Sequence, residues 1–91
     1  MARVSVKLFA TVREAAGVAE CEVAASNLDE LFDALGGTLG RGVADIIARA
    51  EHDPDSLVVL LNGRNVVPGS SERTKLADGD EVSIFPPVSG G

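Results

Sequence analysis

Residue types that do chemistry are scarce in this chain, and their scarcity is informative. Its 91 residues contain one histidine, His52, and one cysteine, Cys21. A nucleophile triad needs a base near its nucleophile, and His52 lies inside the helix-breaking stretch "EHDPD", where a solvated loop histidine accounts for it. Cys21 alternates with glutamates on the apolar side of a strand pattern. That is the setting of a buried thiol rather than of an activated one, which needs a cationic and accessible site. One Cys and one His do not make a zinc site. The carboxylates Asp29, Glu30 and Asp33 fall on the polar face of a predicted helix near its positive end, where solvated acids are stabilising. The glycines of "GGTLGRG" miss the spacing of a dinucleotide loop and follow no strand, and "GRNVVPGS" has no lysine for a phosphate loop. ATP chemistry, if the protein takes part in any, therefore belongs to a partner.

What remains is the end of the chain, "FPPVSGG". At ordinary glycine usage a chain closes on Gly-Gly about once in 200 times. Pro86 and Pro87 favour an extended lead out of the last strand. The six residues from Pro86 to Gly91 reach roughly 20 Å. Glycine has no Cβ, so Gly90 and Gly91 suit a channel too narrow for other residues. The terminal carboxylate is ionised at neutral pH and is a poor electrophile until activated, for example as an acyl adenylate.

These features need elements to hold them. Val4, Val6, Leu8 and Ala10 alternate with Arg3, Ser5, Lys7 and Phe9, which predicts a half-buried strand with an aromatic on its polar side. A second alternation over Val18–Ala24 turns Ala19, Cys21 and Val23 inward. The connection "TVREAAG" between them is long enough for one helical turn. Asn27 followed by Glu30 reads as a helix N-cap, and Leu28, Leu31, Phe32 and Leu35 supply the apolar stripe. Gly36-Gly37 is expected to end that helix in a left-handed cap. A shorter helix is predicted around Val43, Ile46, Ile47 and Ala50. "LVVLLN" reads as an interior strand covered on both faces, Asn62-Gly63 as a hairpin turn, and "RNVV" as its partner. Asp78-Gly79 turns the chain into a last strand, Glu81 to Phe85, with Val82 and Ile84 inward and Phe85, like Phe9, on the polar side. The expected class is α+β: a β-grasp, a mixed sheet packed on one main helix. Residues 1–85 form the domain, 86–91 the extended tail, and the first and last strands lie side by side at the sheet centre.

Composition agrees with one soluble domain. The net charge of -6 argues against nucleic acid or anionic membrane as partner. With no signal peptide, membrane helix or disulfide pair in the sequence, the expected location is the cytoplasm.

"LFATVREAAG", "LNG" and "LADGDEVSIFPPVSGG" together resemble the small subunit of molybdopterin synthase, the MoaD family, over essentially the whole chain, and most specifically at the end. The resemblance implies a ubiquitin-like sulfur carrier. Its C-terminal glycine, Gly91 here, is adenylated by an E1-like adenylyltransferase and converted by a sulfur donor to a thiocarboxylate. The tail, matched by Pro86, Pro87, Val88, Ser89 and Gly90, then enters the large synthase subunit, which builds the dithiolene of molybdopterin from cyclic pyranopterin monophosphate. It further implies no autonomous active site and no cofactor bound by this chain, ATP being used by the activating partner. Phe9, Phe85 and Val66 match the family's apolar docking surface, and Arg13 is placed to add an ion pair at its rim. Archaeal ubiquitin-like small modifiers, which form isopeptide bonds, are also similar, as are carriers for tRNA thiolation, thiamine or cysteine synthesis. A β-grasp binding module with an inert tail is the alternative of another class.

Overall fold

The computed structural model describes residues 2–66 and 75–86. Strand β1 (Ala2–Leu8) leads into helix α1 (Ala10–Ala16), strand β2 (Glu20–Ala25), helices α2 (Leu28–Leu39) and α3 (Arg41–His52), and a 3-10 turn (Pro54–Ser56). Strands β3 (Val58–Leu61), β4 (Arg64–Val66) and β5 (Glu81–Phe85) complete the described elements. The sheet order is β2-β1-β5-β3-β4, with β1 and β5 parallel and every other pair antiparallel. The fold is a β-grasp, and its first and last strands are neighbours at the centre of the sheet.

The alternating pattern places Val4, Val6 and Leu8 of β1, Val23 and Ala25 of β2, Val59 of β3, and Val82 and Ile84 of β5 in the core. Leu28, Leu31, Phe32 and Leu35 of α2 close over them, and α3 adds Val43, Ile47 and Ala50. Burying a side chain of this size is worth about 1.5–3 kcal/mol, so this apolar layer is the main stabilising term.

The N-terminus of α2 forms as its sequence predicts. Asn27 Oδ1 accepts from the Glu30 amide at 2.8 Å, and the Glu30 carboxylate reaches back to the Ser26 amide at 2.8 Å. Its C-terminus differs from expectation, because the helix runs through Gly36-Gly37 to Leu39. The turn is made instead by Gly40, whose φ of 98° suits a residue without Cβ. Gly36 packs against α3, where a Cβ would lie 3.2 Å from Ala44 Cβ. The glycine pair thus sits inside the helix, and Gly36 lets α3 approach.

Four further expectations are corrected. The connection after β1 holds two helical turns, not one, and Ala10 opens α1 with a φ of 52° instead of continuing the inward face of the strand. The second strand starts at Glu20; Ala19 is exposed, and its carbonyl accepts the Leu8 amide. Strand β3 is interior in its hydrogen bonding but buried on one face only, since Val58 and Leu60 are half-buried on the side away from the core. Its apolar run comes from an uncovered apolar surface, not from a second layer. His52 falls in the last turn of α3 rather than beyond it.

Candidate functional site at the exit of the last strand

Because β1 and β5 run parallel, both deliver their aromatic ends to the same edge of the sheet. Leu8 pairs with Ile84, and the amide of Phe9 donates to the Ile84 carbonyl at 3.1 Å. Phe9 and Phe85 then meet edge to face, with ring centroids 5.8 Å apart and planes at 88°. This geometry puts the positive rim of one ring on the negative face of the other. Phe9 keeps 44% of its surface exposed, a large fraction for a phenylalanine, while Phe85 is half-buried. Phe85 lies opposite Val58 and Ser83 opposite Leu60, so the rings continue into an apolar stripe along the uncovered face. Beside it Lys7 pairs with Glu81 at 3.4 Å, and farther from the exit Arg3 pairs with Glu22 at 3.4 Å.

The other expected site residues fall as follows. Arg13 is exposed on α1, and its amide donates to the Phe9 carbonyl at 3.3 Å, which keeps it one turn from the aromatic pair. Val66 pairs with the fully buried Val59 and packs at the core margin. It is therefore on the helix side of the sheet, and the structure does not bring it to Phe9 and Phe85. Pro86 is half-buried and lines a cleft of about 290 Å³ with Thr11 and Val12 of α1, Ile46 and Arg49 of α3, and Ser56. Sequence periodicity gave no sign of this cleft, whose walls come from segments distant along the chain. Pro87, Val88, Ser89, Gly90 and Gly91 lie outside the described residues.

The turn that launches β5 is tightly held. Asp78 accepts the Arg3 amide at 2.8 Å, and Asp80 accepts the Ala77 amide at 2.8 Å and the Asn62 side-chain amide at 3.0 Å. Asn62 in turn accepts the Glu81 amide at 2.9 Å. Asn62 and Gly63, with φ of 52° and 82°, form the tight turn between β3 and β4, so one side chain joins that turn to the start of β5. The Ala77 amide first, and then Asn62, hold the Asp80 carboxyl below its ordinary 3.8. Burial pushes the Cys21 thiol up, consistent with an unreactive thiol in the sheet. Among the described residues no three of His, Cys, Asp and Glu gather as metal ligands would. Among the described residues no helix is long and apolar enough to cross a membrane.

A five-stranded β-grasp whose last strand ends beside an aromatic pair, Phe9 exposed and Phe85 half-buried, defines a ubiquitin-like domain. The chain belongs to the ThiS family, whose model matches residues 6–91. It is 38% identical to small archaeal modifier protein 3 of Haloferax volcanii, over 93% of this chain and 95% of that protein. It is 30% identical to a protein of Archaeoglobus fulgidus assigned as a sulfur carrier, over 97% and 98%. Among solved structures, small archaeal modifier protein 1 of Methanosarcina acetivorans superposes with a TM-score of 0.76 at 33% identity, covering 100% of this chain and 98% of that one. Subunit 1 of the molybdopterin-converting factor of Helicobacter pylori was solved in complex with subunit 2. The match to that complex has a TM-score of 0.68 at 26% identity and covers 98% and 99%. The protein is thus one of the ubiquitin-like sulfur carriers and modifiers.

Proposed function

We propose that this chain is the sulfur-carrying small subunit of a cytoplasmic molybdopterin synthase. Gly91 is its reactive residue. An E1-like partner uses ATP to turn the Gly91 carboxylate into an acyl adenylate, and a sulfur donor displaces AMP to leave a thiocarboxylate. Residues 86–91 carry that group into the large subunit, where the sulfur is used, while Phe9 and Phe85 seat the domain outside and Arg13 lies at the rim. The chain itself binds neither ATP nor metal; its side chains do positioning and the backbone terminus does chemistry.

The observation that supports this reading is the placement of Pro86. It follows a central strand that is hydrogen-bonded on both sides, directly beside the Phe9–Phe85 pair. A fixed root next to an apolar footing is what a tail must have to be delivered accurately into another protein. The match of the family model through Gly91 and the complex formed by the Helicobacter pylori relative support it further.

A second reading is favoured by the 38% identity to a modifier protein. Here the same activated Gly91 is transferred to lysine amines of other proteins. Intact mass separates the readings. Incubation with the activating enzyme, ATP and a sulfur donor should add about 16 mass units, sulfur for oxygen, at the carboxyl terminus. Absence of the gain, with lysine conjugates present in cells, would leave the modifier reading; absence of both removes activation altogether.

A further inference from the structure

Ser56 Oγ is shut off from solvent and has no hydrogen-bond partner among the described residues. A buried hydroxyl left in this state destabilises a fold, and native proteins keep few of them, so each one calls for something that completes it. Ser56 ends the 3-10 turn and lines the cleft beside Pro86, together with Leu57 and with Val12 of α1, both buried. The mouth of the cleft is marked by charge, because Asp45 and Arg49 of α3 are exposed along it.

An aspartate and an arginine four positions apart on a helix are placed to pair with each other. These two do not: the ion pairs among the described residues are Arg3–Glu22 and Lys7–Glu81. Asp45 and Arg49 thus present opposite charges separated by about 6 Å along α3. In an extended peptide, residues two positions apart point the same way and stand about 6.6 Å apart. A basic residue followed two places on by an acidic one therefore matches Asp45 and Arg49. The peptide groups between them bring acceptors to a cleft that holds an unused hydroxyl, and the buried Val12 and Leu57 suit the aliphatic part of such a segment rather than a free ion.

We infer that this cleft takes an extended segment of the activating enzyme, with Asp45 and Arg49 reading its charges and Ser56 Oγ donating to one of its carbonyls. The inference rests on activation of Gly91 by an E1-like partner, which both readings of the function share. That enzyme must grip the domain where the tail leaves it, and Pro86 belongs at once to the cleft wall and to that root. The Phe9–Phe85 pair flanks the same root on the open face of the sheet, whereas the cleft is walled by α1 and α3 on the helix side. The two partners that take the tail in turn thus meet two chemically distinct surfaces. Asp45, Arg49 and Ser56 recognise and position; none of them touches the bond that forms at Gly91.

The test mixes the full chain with the activating enzyme and ATP and follows pyrophosphate release against carrier concentration, a readout of adenylation that both readings share. The double variant D45R/R49D exchanges the two charges at constant net charge. Its KM should rise roughly tenfold or more with kcat unchanged, because like charges now face each other across the contact. Ser56→Ala should raise KM about fivefold while Tm holds or rises, since alanine removes a hydroxyl that the free fold leaves unpaired. A hydroxyl that serves only the fold gives the reverse, a lower Tm with KM unchanged. An unchanged KM in either variant, or a loss of affinity for the large subunit in place of the KM effect, overturns the inference and leaves activation of the wild type standing. If the wild-type chain elicits no pyrophosphate release, activation itself fails and the inference with it.

Discussion

Phe9 and Phe85 touch edge to face at 5.8 Å although they are 76 positions apart, because β1 and β5 are parallel neighbours that end together. The contact holds a rigid aromatic step at the root of the tail, and neither ring lies in the buried core. Truncating Phe85 to alanine should therefore leave the fold cooperative. The lost ring pair itself is worth about 0.5–1.5 kcal/mol. On the proposed docking to a large synthase subunit, Phe85→Ala should cost more in binding, about 2 kcal/mol or roughly thirtyfold in Kd. Calorimetric titration of F85A and F9A against that subunit measures this, with thermal unfolding as the control; unchanged affinity in both variants removes the aromatic step from the docking surface.

Asn27 joins local sequence to tertiary structure. Its side chain caps α2, and its backbone pairs with Lys75 on the segment leading to β5. Asn27→Ala removes only the cap and should destabilise the domain by about 1 kcal/mol. For a chain of this size that is a drop in Tm of about 4–8 °C, and on the proposed function it should leave sulfur loading at Gly91 unchanged. A differential scan of N27A and its loading by intact mass check both halves.

Much of this was legible in the sequence for a physical reason: alternation and the i, i+3, i+4 stripe report directly which side faces the core. Val4, Val6, Leu8, Leu28, Leu31 and Leu35 could be placed that way, and each is essentially inaccessible. The odd phase of Phe9 and Phe85 was also legible, but their contact was not, because only the parallel register of β1 and β5 brings them together. Val66 misled because "RNVV" does not reveal which of its residues faces the helices; pairing with Val59 decides that. Gly36-Gly37 misled because the same residue serves a left-handed cap and a close helix approach.

The glycine pair offers a sharp check on that last point. Gly37 is inside α2, and a Cβ built there meets nothing within 4 Å. Gly37→Ala should stabilise the protein by about 0.5–1 kcal/mol, through helix propensity and a less flexible unfolded chain. Gly40→Ala, at a φ of 98°, should destabilise it by about 1 kcal/mol or more. If alanine destabilised position 37 instead, the helix would end there after all.

Asp80 ties the turn before β5 to the turn between β3 and β4, and it does so as a carboxylate. Its folded-state pKa lies below its ordinary 3.8, held there by the Ala77 amide and then by Asn62. A depressed pKa binds protons less readily in the folded state than in the unfolded one, so the contribution to stability is complete above the ordinary value. It is lost as pH falls through the folded-state value. Wild-type protein should thus lose stability more steeply than Asp80→Asn when acidified from about pH 6 to about pH 2.5, the two curves converging at the acid end. Near neutral pH D80N should be the less stable, because the Ala77 amide and the Asn62 side chain donate to different carboxylate oxygens, whereas asparagine has one oxygen to accept with and no charge to strengthen the bond it keeps. Tm measured across that range for wild type, D80N and N62A tests the assignment. Asn62→Ala removes one of the two bonds that hold the carboxylate ionised and should give an acid limb of intermediate slope. Parallel curves for wild type and D80N would show that the acid limb belongs to other carboxylates.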